Sequence, residues 1–298
     1  TTGTPISMII YNKNQKSKDY SALKDVYRPA QSDYSYDLKY GFRDHRGSGR
    51  ASGRETAARV AAGAIAKKIL AALDVKITAY TSSIGPIEAN PENFKEEYIM
   101  NNFLYMPDPE ALEKAESYLR ELIEENNSSG GTIECIVKNI PHGLGDPVFD
   151  KSDALLARAV MSIGAVKGVE IGNAFANAAK KGSQVHDEIY HNESKGYYRK
   201  TNNAGGIEGG ITNGEPLVIR LAVKPIPTLS KPLNTIDIKT KQQEKAFKER
   251  ADVTVVPSVG VIGEAMLIYI LSKEILIKFG GDNIKETVRN YNNYINNL

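Results

Sequence analysis

Two hydrophobic periods take turns along this chain, one of strands and one of helices. Ile6, Met8 and Ile10 alternate with their neighbours and predict an N-terminal strand. A polar stretch follows to about Arg28. Ser52-Gly53-Arg54-Glu55 has the spacing of a capping box, so a helix is expected to start there and to run through AARVAAGAIAKKILAAL to about Leu73. Its alanines permit close approach on more than one side, which predicts a buried helix. VKITAYT, 75–81, reads as a strand. Asp108-Pro109 supplies an N-cap and a first-turn proline for the helix ALEKAESYLRELIEE. Beyond Gly130 and Gly131 come the strand TIECIVKNI, the turn-rich PHGLGDPVFDK, the helix SDALLARAVMSI and the short strand AVKGVEI. PLVIRLAVKP, 216–225, is a strongly apolar strand, and a last apolar helix spans about 259–279 before stopping at Gly280 and Gly281.

Two polar stretches interrupt this pattern, 180–215 and 226–250. The first is too long for a plain connector, and loops of that length are usually functional or mobile. Helices and strands alternate without a clean linker or an internal repeat. The expectation is one mixed α/β domain over 1–298, ending in an asparagine-rich polar tail, 282–298, that forms a surface helix or a frayed end.

Bulk composition narrows the function classes. Hydrophobic residues make up 41% and charged residues 25%, ordinary for a globular chain. A formal charge of +2 exerts no global pull toward nucleic acid or anionic lipid. The single cysteine, Cys135, excludes an intramolecular disulfide, suits a cytoplasmic setting and reads as a small strand residue rather than a nucleophile. Lys273 and Glu274 break the most apolar run, so no membrane span is expected. His45, His142, His186 and His191 lack zinc-site spacing, so no metal is expected.

Charge is concentrated in one place. Six of the twelve arginines lie between Arg28 and Arg59, and five of them fall within GFRDHRGSGRASGRETAAR, 41–59. Glycines at 47, 49 and 53 let backbone approach a ligand closely. The helix beginning near Ser52 aims free N–H groups and its positive dipole end at the same spot. Arg43, Arg46, Arg50 and Arg54 add fork-shaped donors that suit phosphate, while Asp44 and Glu55 limit their mutual repulsion. Together they predict an anion site, most suited to phosphate; the competing reading is a loop of internal or intersubunit salt bridges. A second glycine cluster, TNNAGGIEGGITNGEP at 201–216, offers close backbone contact with a flat ligand but has no dinucleotide or P-loop fingerprint. Asp252, in ERADVTVVP, reads by itself as a turn or salt-bridge residue.

Several segments in a fixed order resemble chorismate synthase. They are RPAQSDYSYDLKYGFRDHRGSGRASGRETAARVAAGAIAKKIL at 28–70, then PHGLGDPVFDK, MSIGAVKGVEIG, NNAGGIEGGITNGEP, the strand ending in KP, and RADVTVVP before a Glu-Ala-Met helix. The resemblance implies an α/β fold of the β-α-β sandwich type, with helices packed between antiparallel sheets, in a homotetramer. It implies loss of phosphate from 5-enolpyruvylshikimate 3-phosphate by anti-1,4-elimination, giving chorismate, with reduced FMN as cofactor and an association with NADP. The family's flavin contacts would fall on Arg50, Ala51, Ser52, Gly164, Ala165, Gly209, Lys224, Pro225, Ile226, Pro227, Thr228 and Arg250. Arg54 would hold the substrate phosphate, and Asp252 would assist at the flavin N5.

Three positions depart from the family pattern. The family's Gly-Glu-Ser-His-Gly signature, which carries one proton-donor histidine, is absent, and an N-terminal segment is expected to be missing from the chain. Gln31, in Arg28-Pro29-Ala30-Gln31-Ser32-Asp33, stands where the resemblance implies the second donor histidine, and glutamine gives hydrogen bonds but no proton. Ala51 replaces a serine. These departures keep open an alternative, a catalytically impaired relative that still binds FMN.

Overall fold

The computed structural model describes residues 2–13, 20–21, 23–194, 196–246 and 252–297. In chain order the elements are α1 (Asp33–Tyr40), α2 (Thr56–Ala71), β1 (Lys76–Ile84), β2 (Ile87–Glu88), α3 (Glu96–Ile99), α4 (Pro109–Glu124), β3 (Gly131–Lys138), α5 (Ser152–Met161) and β4 (Val166–Ile171). Then come α6 (Ala174–Ala178), β5 (Ile189–Asn192), β6 (Gly196–Arg199), β7 (Ile207–Glu208), β8 (Ile211–Thr212), β9 (Leu217–Val223), β10 (Asn234–Ile236), β11 (Gln243–Lys245), α7 (Val256–Phe279) and α8 (Ile284–Ile295).

Five strands form the main sheet in the order β2-β1-β3-β9-β4, with every neighbouring pair antiparallel. Strict alternation assigns each strand a core face. Ile133, Cys135 and Val137 of β3 and Leu217, Ile219 and Leu221 of β9 are wholly buried on that face. Helix α7 lies over β1 and β3, α5 over β4, and α2 packs along α7. The α2–α7 approach depends on Gly63, where a Cβ would sit 2.6 Å from the Cβ of Ala265. This is the expected mixed α/β architecture of helices against antiparallel strands.

The opposite face carries a polar row across four strands. Tyr80 pairs in register with Glu134, Glu134 with Arg220, and Arg220 with Glu170. Arg220 donates to Glu134 and Glu170, and also to the Gly172 carbonyl at 2.8 Å. Tyr80 donates to Glu134. Each buried carboxylate therefore has partners, which is what makes such a row tolerable on a half-buried face.

Several sequence expectations change. Ile6, Met8 and Ile10 form no strand; they are 51%, 45% and 66% exposed, and among the described residues no strand pairs with them. Helix α2 is not buried throughout: Thr56, Gly63, Ala66 and Leu70 face inward, while Ala57, Ala58 and Ile65 are exposed. Ser52 caps a short 3-10 turn, Gly53–Glu55, through the Arg54 N–H, and Glu55 pairs with Arg59 instead of closing the capping box. Helix α1 had no sequence signal. The stretch 180–215 holds two hairpins, β5–β6 and β7–β8, and the stretch 226–250 holds a third, β10–β11. Within 282–298, α8 is a helix that docks: Tyr291 and Tyr294 lie 5.4 and 5.6 Å from the Phe279 ring, and Asn290 donates to the Phe279 carbonyl. Among the described residues, no helix is long and apolar enough to cross a membrane, and no side-chain cluster could hold a metal ion.

Candidate functional site

The arginine-rich loop divides into two kinds of guanidinium. Arg28, Asp33 and Arg43 form a buried ion-pair cluster, each side chain 7% exposed. Arg28 grips Asp33 with Nε and Nη2, both at 2.9 Å, and with its backbone N–H at 3.0 Å. Arg43 sits 3.7 Å from Asp33 and 3.5 Å from Asp37, and donates to the carbonyls of Leu23 and Val26. Burial by itself would raise the Asp33 pKa; the Arg28 hydrogen bonds and the two positive charges outweigh it and hold the carboxyl below its ordinary value. Arg46 pairs with exposed Asp44 at 2.8 Å.

Arg43 is committed to Asp33 and Asp37 of α1, whereas Arg46 shares an exposed surface pair with Asp44, the kind of pair that contributes little and that a ligand can replace. Arg50 and Arg54 differ: neither guanidinium has a hydrogen-bond or ion-pair partner among the described residues, and both are exposed. Arg50 and Ala51 lie in the 3-10 turn Gly49–Ala51, and Ser52 and Arg54 in the next turn, which leads straight into α2. The N–H groups of Ala51, Ser52, Arg54, Glu55 and Thr56 are taken within these turns, so what α2 brings to the two guanidiniums is the positive end of its dipole rather than open donors.

Other segments converge on this loop. Arg28 donates to Ser48 Oγ at 3.3 Å, so the 28–31 turn rests against the residues just before Arg50. Lys224, directly after β9, reaches the Ala30 carbonyl with Nζ at 3.1 Å and the Ala165 carbonyl with its N–H at 3.0 Å. Residues 28–31, 164–165 and 224 therefore meet. Ser128 Oγ holds the Ile226 carbonyl at 2.8 Å, and Pro227 and Thr228 border a small cleft with Arg28 and Pro29. Gln31 follows Ala30, whose φ of 59° turns the chain.

Lys224 adds to the unbalanced charge. Burial lowers its pKa, and neighbouring Lys167 lowers it further. Neither lysine has a carboxylate partner among the described residues. An incoming anion would relieve both effects. Three clefts open beside the loop. One of about 360 Å³ is lined by Ser32, Tyr36, Arg46 and Gly49. A second of about 610 Å³ lies between Ile6, Met8 and Ile10 on one side and Arg54, Ala57 and Ala61 on the other. A third of about 450 Å³ lies between Gly53, Thr56, Phe103, Tyr105 and Ser258.

Not every expected residue joins this group. Gly209 lies in the β7–β8 turn, beside the start of α5, where Ser152 N–H donates to the Gly210 carbonyl at 2.7 Å. Gly164 is at the other end of α5, about 15 Å away along a ten-residue helix. Lys224 lies beyond the seven residues of β9, roughly 23 Å long. Within one copy of the chain Gly209 is therefore apart from the other expected contacts. Asp252 is exposed and has no partner among the described residues; next to it, the Val253 carbonyl accepts from Ser129 N–H at 2.8 Å. Arg250 lies outside the described residues.

Asp33 and Lys167 were missed by the sequence reading. Asp33 follows Arg28 by five positions in a segment with no periodicity, so nothing in the spacing announced their pairing. Lys167 looked like an ordinary surface residue until the pairing of β4 with β9 set it beside Lys224.

Fold and site define a mixed α/β protein with a cationic, phosphate-type rim at the foot of a helix. Comparison with known proteins gives its relationship. The chorismate synthase family profile matches residues 1–276. A chorismate synthase of Agathobacter rectalis is 49% identical over 280 residues, spanning 94% of this chain and 76% of the relative. That of Aquifex aeolicus is 43% identical over 324 aligned positions, spanning 100% of this chain and 81% of the relative. A crystal structure of a chorismate synthase superposes with a TM-score of 0.75 at 40% identity, over 89% of this chain and 76% of that one. The chain belongs to the chorismate synthase family, a family of carbon–oxygen lyases.

Proposed function

We propose that this protein converts 5-enolpyruvylshikimate 3-phosphate to chorismate, and that reduced FMN binds on the rim formed by residues 50–54, 164–165 and 224–228. Family membership over 1–276 supports the reaction. The observation that carries the site is the pair of guanidiniums, Arg50 and Arg54, that have no partner among the described residues at the entrance to α2.

The residues present fit two phosphorylated ligands. The Arg50 guanidinium and the Ser52 hydroxyl suit the flavin phosphate, and Lys224 offsets further negative charge nearby. Arg54 suits the substrate phosphate. In the elimination a C–O bond to phosphate breaks, a ring proton leaves from the opposite face and a new C=C bond forms. Charge grows on the departing phosphate, and a donor already aimed there lowers the barrier. Bound reduced FMN supplies electron density to the reacting ring and a base for the departing proton. Asp252, which has no partner among the described residues, would hold a proton at the flavin. Gln31 orients by hydrogen bonding and gives no proton. The same reading includes a cytoplasmic homotetramer, which light scattering of the purified protein tests.

The reaction is tested by anaerobic assay with photoreduced FMN. Chorismate and inorganic phosphate should appear in equal amounts, and Arg54→Ala should cut the rate by roughly 10²-fold or more. No chorismate from the unaltered protein, or an unaffected Arg54→Ala variant, would count against the proposal.

A further inference from the structure

We infer that Arg59 is a positioning residue that aligns the Arg50/Arg54 turn with the 162–165 turn; the inference rests on the reading of the site given above. Arg59 lies one turn inside α2 and does not face the rim. Its Nε and Nη2 hold both oxygens of Glu55, at 3.0 and 2.9 Å. Its Nη1 donates to Ser162 Oγ at 2.6 Å, and the Met266 sulfur of α7 lies 4.0 Å from the same nitrogen. Ser162 in turn donates to the Ala159 carbonyl at 2.6 Å, in the last turn of α5. One guanidinium therefore ties together the first turn of α2, the end of α5 and the side of α7.

What it ties is the rim. Glu55 ends the turn that presents Arg54, and Ser162 opens the turn that presents Gly164 and Ala165. The Ala165 carbonyl then takes the Lys224 N–H. An i,i+4 Glu–Arg pair on its own adds little to a helix. The added bond across 103 positions to Ser162 turns a local pair into a clamp between two segments that would share one ligand. The planar fork is what allows this. A lysine carries its three donors on a single nitrogen, so it cannot span Glu55 and Ser162 as the separate, coplanar nitrogens of the guanidinium do.

The test compares the full chain with Arg59→Lys, Ser162→Ala and the double variant, using oxidised FMN as the probe. Dissociation constants come from quenching of flavin fluorescence, and the bound flavin's visible spectrum is recorded. Arg59→Lys and Ser162→Ala should each weaken FMN binding about tenfold, the loss of one charge-assisted hydrogen bond. Each should also shift the bound-flavin spectrum, and the double variant should be no worse than either single one. Hydrogen exchange of residues 49–58 should rise in both single variants before any ligand is added, with the urea midpoint little changed. Unaltered FMN affinity and exchange in both single variants overturn the inference alone. Effects that simply add in the double variant also overturn it, because Arg59 would then act by a route other than Ser162. Failure of the unaltered protein to bind FMN overturns the reading of the site and this inference with it.

Discussion

Asp33→Asn should be among the most damaging substitutions in this chain that touch no ligand. Asparagine keeps the shape of the side chain and one acceptor oxygen but removes the charge that balances Arg28 and Arg43. All three side chains are 7% exposed, so solvent screens the change very little. Arg28 makes three hydrogen bonds to Asp33, two through its guanidinium and one through its backbone N–H. Removing one partner of a buried ion pair costs about 3–5 kcal/mol, mainly because the remaining charge is stranded, and here two cations are stranded together. We expect a loss in that range at pH 7, measured by urea unfolding. The pH dependence has a definite sign. The folded-state pKa of Asp33 is lowered, so its contribution is fully present above the unfolded value of about 3.9 and is lost as pH falls through the folded value. The gap between wild type and Asp33→Asn should therefore be constant from pH 8 to about 5 and narrow below pH 4. A difference under about 1 kcal/mol at pH 7, or a gap that widens on acidification, would refute the reasoning.

Three further outcomes follow. Gln31→His restores a group able to donate a proton and should raise turnover on 5-enolpyruvylshikimate 3-phosphate, toward the roughly 10²–10⁴-fold worth of one positioned acid; unchanged turnover contradicts the role given to this position. Gly131→Ala should lower stability by about 2 kcal/mol or more in thermal or urea unfolding, since its Cβ would meet the Ser83 carbonyl oxygen at 2.1 Å; a neutral result would mean that β1 and β3 shift apart freely. Residues 226–246, which follow the 224–228 segment of the rim, should gain hydrogen-exchange protection when FMN and substrate are added together; unchanged exchange there counts against a place for this segment at the rim.

The core of this fold was readable because its periods are clean. Alternation placed β3, β4 and β9 within a residue or two and β1 within three, and Asp108 marked the start of α4 through a cap the structure contains: Asp108 accepts the Glu110 N–H at 2.9 Å. Period alone does not say whether a partner is present. Ile6, Met8 and Ile10 have the pattern of a strand, yet they lie exposed along α2 with no strand to pair with among the described residues. Helix α7 is apolar all round, and α2 is rich in alanine, yet both keep exposed residues such as Ala57, Tyr269 and Ile277. The arginine cluster announced an anion site; of its four proposed donors, Arg43 is tied into a buried ion-pair cluster, Arg46 into an exposed pair, and Arg50 and Arg54 have no partner among the described residues. Composition cannot separate a guanidinium held by Asp33 or Asp44 from one left free, because that depends on contacts between positions with no fixed spacing. Lys224 illustrates the same limit from the other side. Its acceptor at Ala30 is 194 positions away, visible only after the sheet and the 28–31 turn are assembled.

Arg50 and Arg54 have no partner among the described residues because, on this account, an anionic ligand takes them. Titrating oxidised FMN into the unaltered protein and into Arg50→Ala, with flavin fluorescence as the signal, tests it most directly. Saturable quenching that weakens at least tenfold in Arg50→Ala, and that inorganic phosphate competes away, is the predicted result. Equal binding by the two proteins, or none by either, would contradict it.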